Sequence, residues 1–267
     1  MMSWVMFKKS LKDLRWTVFW YAFGLVVYGL LILSFYPTVR ENAEQMRQLM
    51  GTFPKSVMEA FGANNMSTLA GWVGGKYLNV MWPLIMSVFV IMAGAATVAR
   101  EVERGTIELL LSVPESRTRL LAAKLAALFA GMVVLVATTV GSIALGAVLV
   151  DETLALENLL ALGAVLLCFG VAVAGYSVLL SSFSKERSKP AGMAAGLTLA
   201  FYVAWVVSDL SNDWEWLKNF SIFTAYDPQR ALQSGHIELA HLAALIVVGV
   251  VSTIVALMIF KRRDAIA

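Results

Sequence analysis

The residues best suited to specific chemistry lie in one charged stretch, Arg100-Glu101-Val102-Glu103-Arg104-Gly105-Thr106-Ile107-Glu108-Leu109-Leu110-Leu111-Ser112-Val113-Pro114. Gly105 can break a helix arriving from upstream, Thr106 can cap a new one starting at Ile107, and Pro114 stops it. Ser116 is placed to cap the helix that follows. A short helix isolated between two breaks results. Leu109, Leu110, Leu111 and Val113 are too apolar for a solvated loop, while Glu101, Glu103, Arg104 and Glu108 surround them with charge. Such a knob suits a groove on a partner, with apolar anchors supplying affinity and the charged rim supplying register. The alternative, a helix resting on the inner leaflet, is disfavoured by its acidic residues, because that leaflet is negative.

Other chemical signals are weaker. Gly71-Trp72-Val73-Gly74-Gly75-Lys76 has the wrong spacing for a nucleotide-binding loop, and Tyr77 stands where Ser or Thr is required. His236 and His241, with Glu238 between them, read as surface histidines rather than metal ligands. The single cysteine, Cys168, sits in an apolar run and can form neither an intrachain disulfide nor a cysteine metal site. Intramembrane proteolysis would need a serine and histidine at membrane depth, paired aspartates, or a His-Glu-x-x-His run, and the sequence has none of these. The reading is therefore of a non-catalytic chain with no cofactor or metal of its own.

The elements around the charged stretch follow from composition. Of the 267 residues, 59% are hydrophobic and 15% charged, with a mean hydropathy of +0.75, too apolar for a water-soluble fold. Charges fall in clusters between apolar runs of about 20 residues, enough to cross a hydrocarbon core of roughly 30 Å. The prediction is an all-α polytopic membrane protein with six spans, at about 16–36, 77–99, 120–150, 158–183, 190–208 and 239–260, within one transmembrane domain over 16–260. Residues 1–15 place Trp4, Phe7, Leu11 and Leu14 on one helical side and Lys8, Lys9, Lys12 and Arg15 on the other, an interfacial amphipathic helix. The apolar run that follows is longer than a signal-peptide core, so an uncleaved anchor is expected. Two helix-like pieces, 38–50 and 54–61, occupy the first outer loop, and 261–267 form a tail.

Lys and Arg fix the expected orientation. With the N-terminus inside, 15 of the 21 fall on the cytoplasmic side and 6 on the other. Both ends are thus expected in the cytoplasm, and the basic residues read as topology signals rather than a nucleic-acid surface. The spans are nearly free of ionisable groups, Lys124 and Asp209 lying near span ends, which argues against a self-powered secondary carrier. Small residues at Ala123, Ala127 and Gly131, and in Gly192-Met193-Ala194-Ala195-Gly196, allow close helix packing within the bundle or at a subunit interface.

The stretch Glu103 to Pro114, with Ser116-Arg117 and Lys124 following, resembles the type-2 ATP-binding-cassette export permeases, the membrane subunits of ABC exporters. Tyr226-Asp227-Pro228 with Ala231-Leu232 and Gly235 is similar to that family's outer segment before the last span, and Phe260-Lys261-Arg262-Arg263-Asp264 to its ending. The resemblance implies that the segment between spans two and three is a cytoplasmic coupling helix. Glu101, Glu103, Arg104, Gly105, Thr106, Glu108, Leu109, Leu110 and Pro114 would then form the contact with a nucleotide-binding subunit. ATP and magnesium would bind in that ATPase partner, and a second permease subunit, identical or related, would complete the pathway in the lipid of the plasma membrane. A pathway lined by spans without charge suits a small amphiphilic or hydrophobic molecule or peptide as cargo. The alternatives are a non-transporting scaffold or immunity-type protein of the same fold, and a secondary carrier.

Overall fold

A bilayer core offers no water to backbone N–H and C=O groups, so each apolar run must satisfy them internally as helix. The computed structural model describes residues 2–42, 68–97, 117–184, 188–210 and 212–262, and among these it is all-α. The helices are α1 (Met2–Ser34), α2 (Tyr36–Glu41), α3 (Leu69–Val73), α4 (Trp82–Ala95), α5 (Arg117–Leu149), α6 (Leu156–Phe183), α7 (Ser188–Leu210), α8 (Pro228–Ser234) and α9 (Leu239–Arg262). A π-helix, Gly74–Met81, joins α3 to α4, and a 3₁₀ helix, Asn212–Phe220, follows α7. Among the described residues, six helical runs are long and apolar enough to cross a membrane: Trp4–Glu41, Leu69–Ala95, Leu121–Leu149, Leu156–Phe183, Ser188–Leu210 and Leu239–Lys261. An even number of crossings returns the chain to the face where it began. The start of α1, the end of α4, the start of α5 and the end of α9 therefore share one face, termed here the terminal face.

Two elements differ from the sequence expectation. Residues 2–15 are not a separate helix but the first turns of an unbroken α1. No Gly or Pro interrupts them, and Lys8 and Arg15 lie over the rings of Trp4 and Trp16 at 5.3 and 5.6 Å. At 33 residues α1 is about 50 Å long, so its basic turns can extend past a core of roughly 30 Å. Span two starts at Leu69 rather than Tyr77. Gly71, Gly74, Gly75 and Lys76 depress its hydropathy, but α3 and the first π-helical residues are buried in protein rather than bathed in lipid. The pieces expected at 38–50 and 54–61 lie largely or wholly outside the described residues, except that α2 occupies Tyr36–Glu41.

α6 is the centre of the bundle, touching α4, α5, α7, α8 and α9, while α1 packs mainly along α5. Where α6 meets α9 the backbones themselves are in contact: a Cβ on Gly175 would lie 2.4 Å from the Gly249 carbonyl oxygen, and one on Gly249 2.6 Å from that of Val171. The α1–α5 contact has a similar notch, where Gly146 receives Leu33. Of the small residues singled out in the sequence, Ala127 is buried and Gly131 sits under Phe89 and Val18, whereas Gly192 and Gly196 face open space.

The half of the bundle away from the terminal face is held by aromatic rings and side-chain hydrogen bonds. Trp82, Phe169, Phe223 and Tyr226 pack with centroid separations of 4.6–6.4 Å, and Tyr202 and Trp205 extend the cluster into α7. A π-helix is wider than an α-helix and exposes carbonyls that its own ladder serves poorly. The buried Tyr226 hydroxyl donates to the Leu78 carbonyl at 2.7 Å, and Tyr28 reaches the Lys76 carbonyl at 3.4 Å. In the other direction, Tyr77 donates to the Leu25 carbonyl at 2.9 Å and the Trp72 indole to the Ile32 carbonyl at 2.8 Å, tying span one to span two. Trp82 donates to the Thr139 hydroxyl at 3.0 Å, whose own hydrogen goes to the Leu135 carbonyl.

Two substitutions test these contacts. Tyr226→Phe strands a buried carbonyl and should cost about 1–3 kcal/mol, read as a lower thermal midpoint in detergent. Gly249→Ala should cost a similar ~1–3 kcal/mol, because backbone rather than a mobile side chain must give way. Gly192→Ala, with open space around it, should leave the midpoint unchanged.

Candidate coupling site at the terminal face

The sequence-predicted contact residues, Glu101, Glu103, Arg104, Gly105, Thr106, Glu108, Leu109, Leu110 and Pro114, all lie outside the described residues. What the structure describes is how both ends of that segment are held.

Span two delivers its last carbonyls at the terminal face, where a helix C-terminus carries partial negative charge and has no intrahelical donors left. The carbonyls of Gly94, Ala95 and Thr97 each accept from a side chain. Thr97 folds back to donate to the Gly94 carbonyl at 2.6 Å, and its backbone N–H reaches the same oxygen at 3.1 Å. The Ala95 carbonyl accepts from Ser181 of α6 at 2.8 Å. The Thr97 carbonyl accepts from the Lys124 ammonium of α5 at 2.9 Å, a cation placed where the helix dipole favours one. Ser177 and Ser181, one helical turn apart on α6, are fully buried against this end, and a Cβ on Gly94 would come within 3.0 Å of Ser177.

The far end of the segment enters α5 at Arg117. Leu121, in the second turn of α5, packs against Phe260 at the end of α9, with Leu125 and Leu257 beside them. The described residues on either side of 98–116 are therefore a helix end bonded to α5 and α6 and a helix start packed on α9.

Ser177, Ser181 and Thr97 were not singled out by the sequence reading. Their signal is faint: hydroxyl residues in an apolar helix read as neutral when back-bonding to their own turn is available, as it is for Ser177 onto the Val173 carbonyl. Lys124 was legible as a cation near a span end, though not as the donor to a particular carbonyl.

The remaining sequence signals fall elsewhere. Gly71 to Lys76 is helical, with its glycines buried, and cannot wrap a phosphate as a loop. On the opposite face α8 is capped as its sequence suggests: Asp227 accepts from the Arg230 N–H at 3.1 Å, Pro228 opens the first turn, and Gly235 closes the helix at φ +67°. Asn158 donates to the Leu232 carbonyl at 3.0 Å, docking α8 on α6. Tyr226, just before it, is fully buried, and burial pushes its hydroxyl well above the usual phenol range, so it remains a donor. Glu238 is shared between Arg230 at 3.0 Å and His241 at 3.2 Å.

Removing either donor at the end of span two is informative. Lys124→Met should cost about 1–3 kcal/mol by leaving the Thr97 carbonyl without its charged donor, and Ser181→Ala a comparable amount at Ala95. Thermal unfolding of the purified chain measures both.

The ABC-2 family transporter protein family matches residues 3–265, nearly the whole chain. No curated protein matches. The chain belongs to the ABC-2 transporter family, and its six apolar helices make it a multi-pass membrane protein.

Proposed function

We propose that this ABC-2 family member is the permease subunit of an ATP-binding-cassette exporter, converting the movement of a separate nucleotide-binding subunit into export of an amphiphilic or hydrophobic molecule or peptide. In this reading the terminal face is cytoplasmic and the membrane is the plasma membrane, as the 15-to-6 bias of Lys and Arg supports. The segment from Gly105 to Pro114 is the coupling helix, and Glu101, Glu103, Arg104, Thr106 and Glu108 set its register on the ATPase, with Leu109 and Leu110 as anchors. ATP and magnesium bind in that partner. A second permease subunit, identical or related, flanks the pathway.

The observation that carries the reading is the anchorage of the described residues that flank 98–116, Ala95 and Thr97 on one side and Leu121 on the other. A partner pushing on this segment acts on span two through Thr97 and Ala95, on α5 and α6 through Lys124 and Ser181, and on α9 through Phe260. Packed helices respond to such a load by moving as bodies rather than by deforming. The permease itself then makes and breaks no covalent bond.

The chain should stimulate the ATPase of a cassette protein co-expressed and purified with it. Glu103→Lys or Glu108→Lys should weaken that stimulation about tenfold, since reversing a charge at a docking rim sets like charges against each other. Glu215→Lys, on the opposite face, should leave it unchanged. A complex whose ATPase ignores both reversals would reject the coupling assignment and favour a scaffold. Transport by the chain alone under a proton or sodium gradient would favour a carrier.

A further inference from the structure

Because span two begins at Leu69, Lys76 lies inside it, and the sequence expectation of spans without charge does not hold there. Its depth follows from α1. The Lys76 carbonyl accepts from Tyr28, and the helix from Tyr28 to the end of α1 at Ser34 is about 9 Å long. Beyond that end lies a layer of charge, where Arg40 pairs with Glu152. Lysine side-chain bonds of about 1.5 Å each sum to less than that depth, so the ammonium cannot snorkel to the layer.

Lys76 is also on the open side of its helix. It is exposed, and among the described residues its ammonium has no ion-pair or hydrogen-bond partner. α4 touches α1, α5, α6 and α7. The side they leave over carries Met92, Val88 and Leu84, all exposed and each one turn from the next, and Val80 and Lys76 continue the line into the π-helix. An unpaired ammonium is costly in hydrocarbon, and charges at membrane depth face either a bundle interior or a water-filled space. Lys76 points out of its own bundle, so the second applies. This face of span two is the wall of an aqueous space, aliphatic along its length with one cation near its outer end.

We propose that this face of span two lines the export pathway and that Lys76 is a specificity-determining residue of it, selecting cargo that carries a carboxylate or phosphate on an apolar body. The inference rests on the export reading and narrows it: the cargo is an anionic amphiphile, its charge held by the Lys76 ammonium and its body laid along Val80, Leu84, Val88 and Met92. Low-dielectric walls make one opposite charge count for more than it would in bulk water. A cationic amphiphile meets like charge at the same place and is rejected, while a neutral one gains nothing there. An ammonium is a compact point charge with three rotatable donors, so it accepts carboxylate and phosphate alike.

The test has two arms. In the first, Lys76→Cys and Leu145→Cys are made in the Cys168→Ser chain, placed in proteoliposomes and treated with a charged methanethiosulfonate. Leu145 is exposed on α5, one turn outward of Ser142, which abuts Gly29. The thiolate is the reactive form and hydrocarbon suppresses it, so Lys76→Cys should react at least about tenfold faster than Leu145→Cys. A rate no higher than that of Leu145→Cys would set Lys76 against lipid and overturn the proposal. The second arm uses proteoliposomes of the full chain with its co-purified cassette protein and follows ATP-dependent accumulation of two probes, dodecyl phosphate and dodecyltrimethylammonium. Wild type should favour the phosphate by about tenfold, the discrimination of one well-placed charge contact. Lys76→Gln should bring the ratio near one, Lys76→Glu should invert it and Lys76→Arg should keep it, all with the cassette ATPase still stimulated. If Lys76→Gln leaves the ratio unaltered, export stands and this inference falls; accumulation of neither probe by wild type also overturns the anionic assignment. A chain that does not stimulate the ATPase at all removes the export reading and this inference with it.

Discussion

A carbonyl released from helical pairing inside a bilayer has no water to turn to, and this constraint organises the bundle around span two. That span is irregular: it begins as a short α-helix, widens into eight residues of π-helix and tightens again at Trp82. Its exposed carbonyls recruit donors from other parts of the chain, Tyr226 at Leu78 and Tyr28 at Lys76. Its own Trp72 and Tyr77 donate outward to the carbonyls of α1. In a low-dielectric interior each such bond is stronger than in water, and its loss leaves a polar group without recourse. Span one, span two, α8 and the loop before it are thereby held in one arrangement.

The two halves of the bundle are built differently as a result. Away from the termini, bulky rings from α4, α6, α7 and the 221–226 loop interlock, and Ser221 adds a bond to the Phe201 carbonyl at 2.7 Å. Toward the termini the contacts are smaller: serines against Gly94, glycine against glycine between α6 and α9, one lysine on one carbonyl. Small contacts allow helices to approach closely but interlock less than large rings do.

The sequence carried the coarse architecture plainly. Apolar runs of bilayer length give six helices, and Asp227-Pro228 with Gly235 marks both ends of α8 because capping is local chemistry. It did not carry the start of span two. A hydropathy count assumes lipid around each residue, and Gly71, Gly74 and Gly75 are instead surrounded by protein. The π-helix was also illegible, since no local residue pattern demands it; it is sustained by tyrosines as distant in sequence as Tyr226. The end of span two was half legible. Lys124 announced a cation near a helix end, but the choice of the Thr97 carbonyl and the matching grip of Ser181 depend on which helices become neighbours. The chemically richest stretch, Glu101 to Pro114, is read from its sequence.

Burial is uneven among the six spans, and the pattern separates two uses of small residues. Spans two and four are mostly enclosed, whereas one, five and six are largely bare. In lipid a bare apolar face costs little, because hydrocarbon surrounds it as readily as protein does, so exposure alone does not call for a partner. Glycine is different, since its backbone gains only when another backbone comes close. Gly175 and Gly249 make that approach within the chain, and so the sequence cost of two small residues is offset by α6–α9 packing. Gly192 and Gly196 on α7 make none, although Ala194 between them is fully buried against the bundle. The inward side of α7 is thus already committed to its own fold, including Thr198, which accepts from the Tyr176 hydroxyl of α6 because its own hydrogen is engaged by the Ala194 carbonyl. Its glycines contribute nothing to that side. The distinction between the two pairs lies in the neighbours each helix acquires, and the spacing of the residues alone does not reveal it.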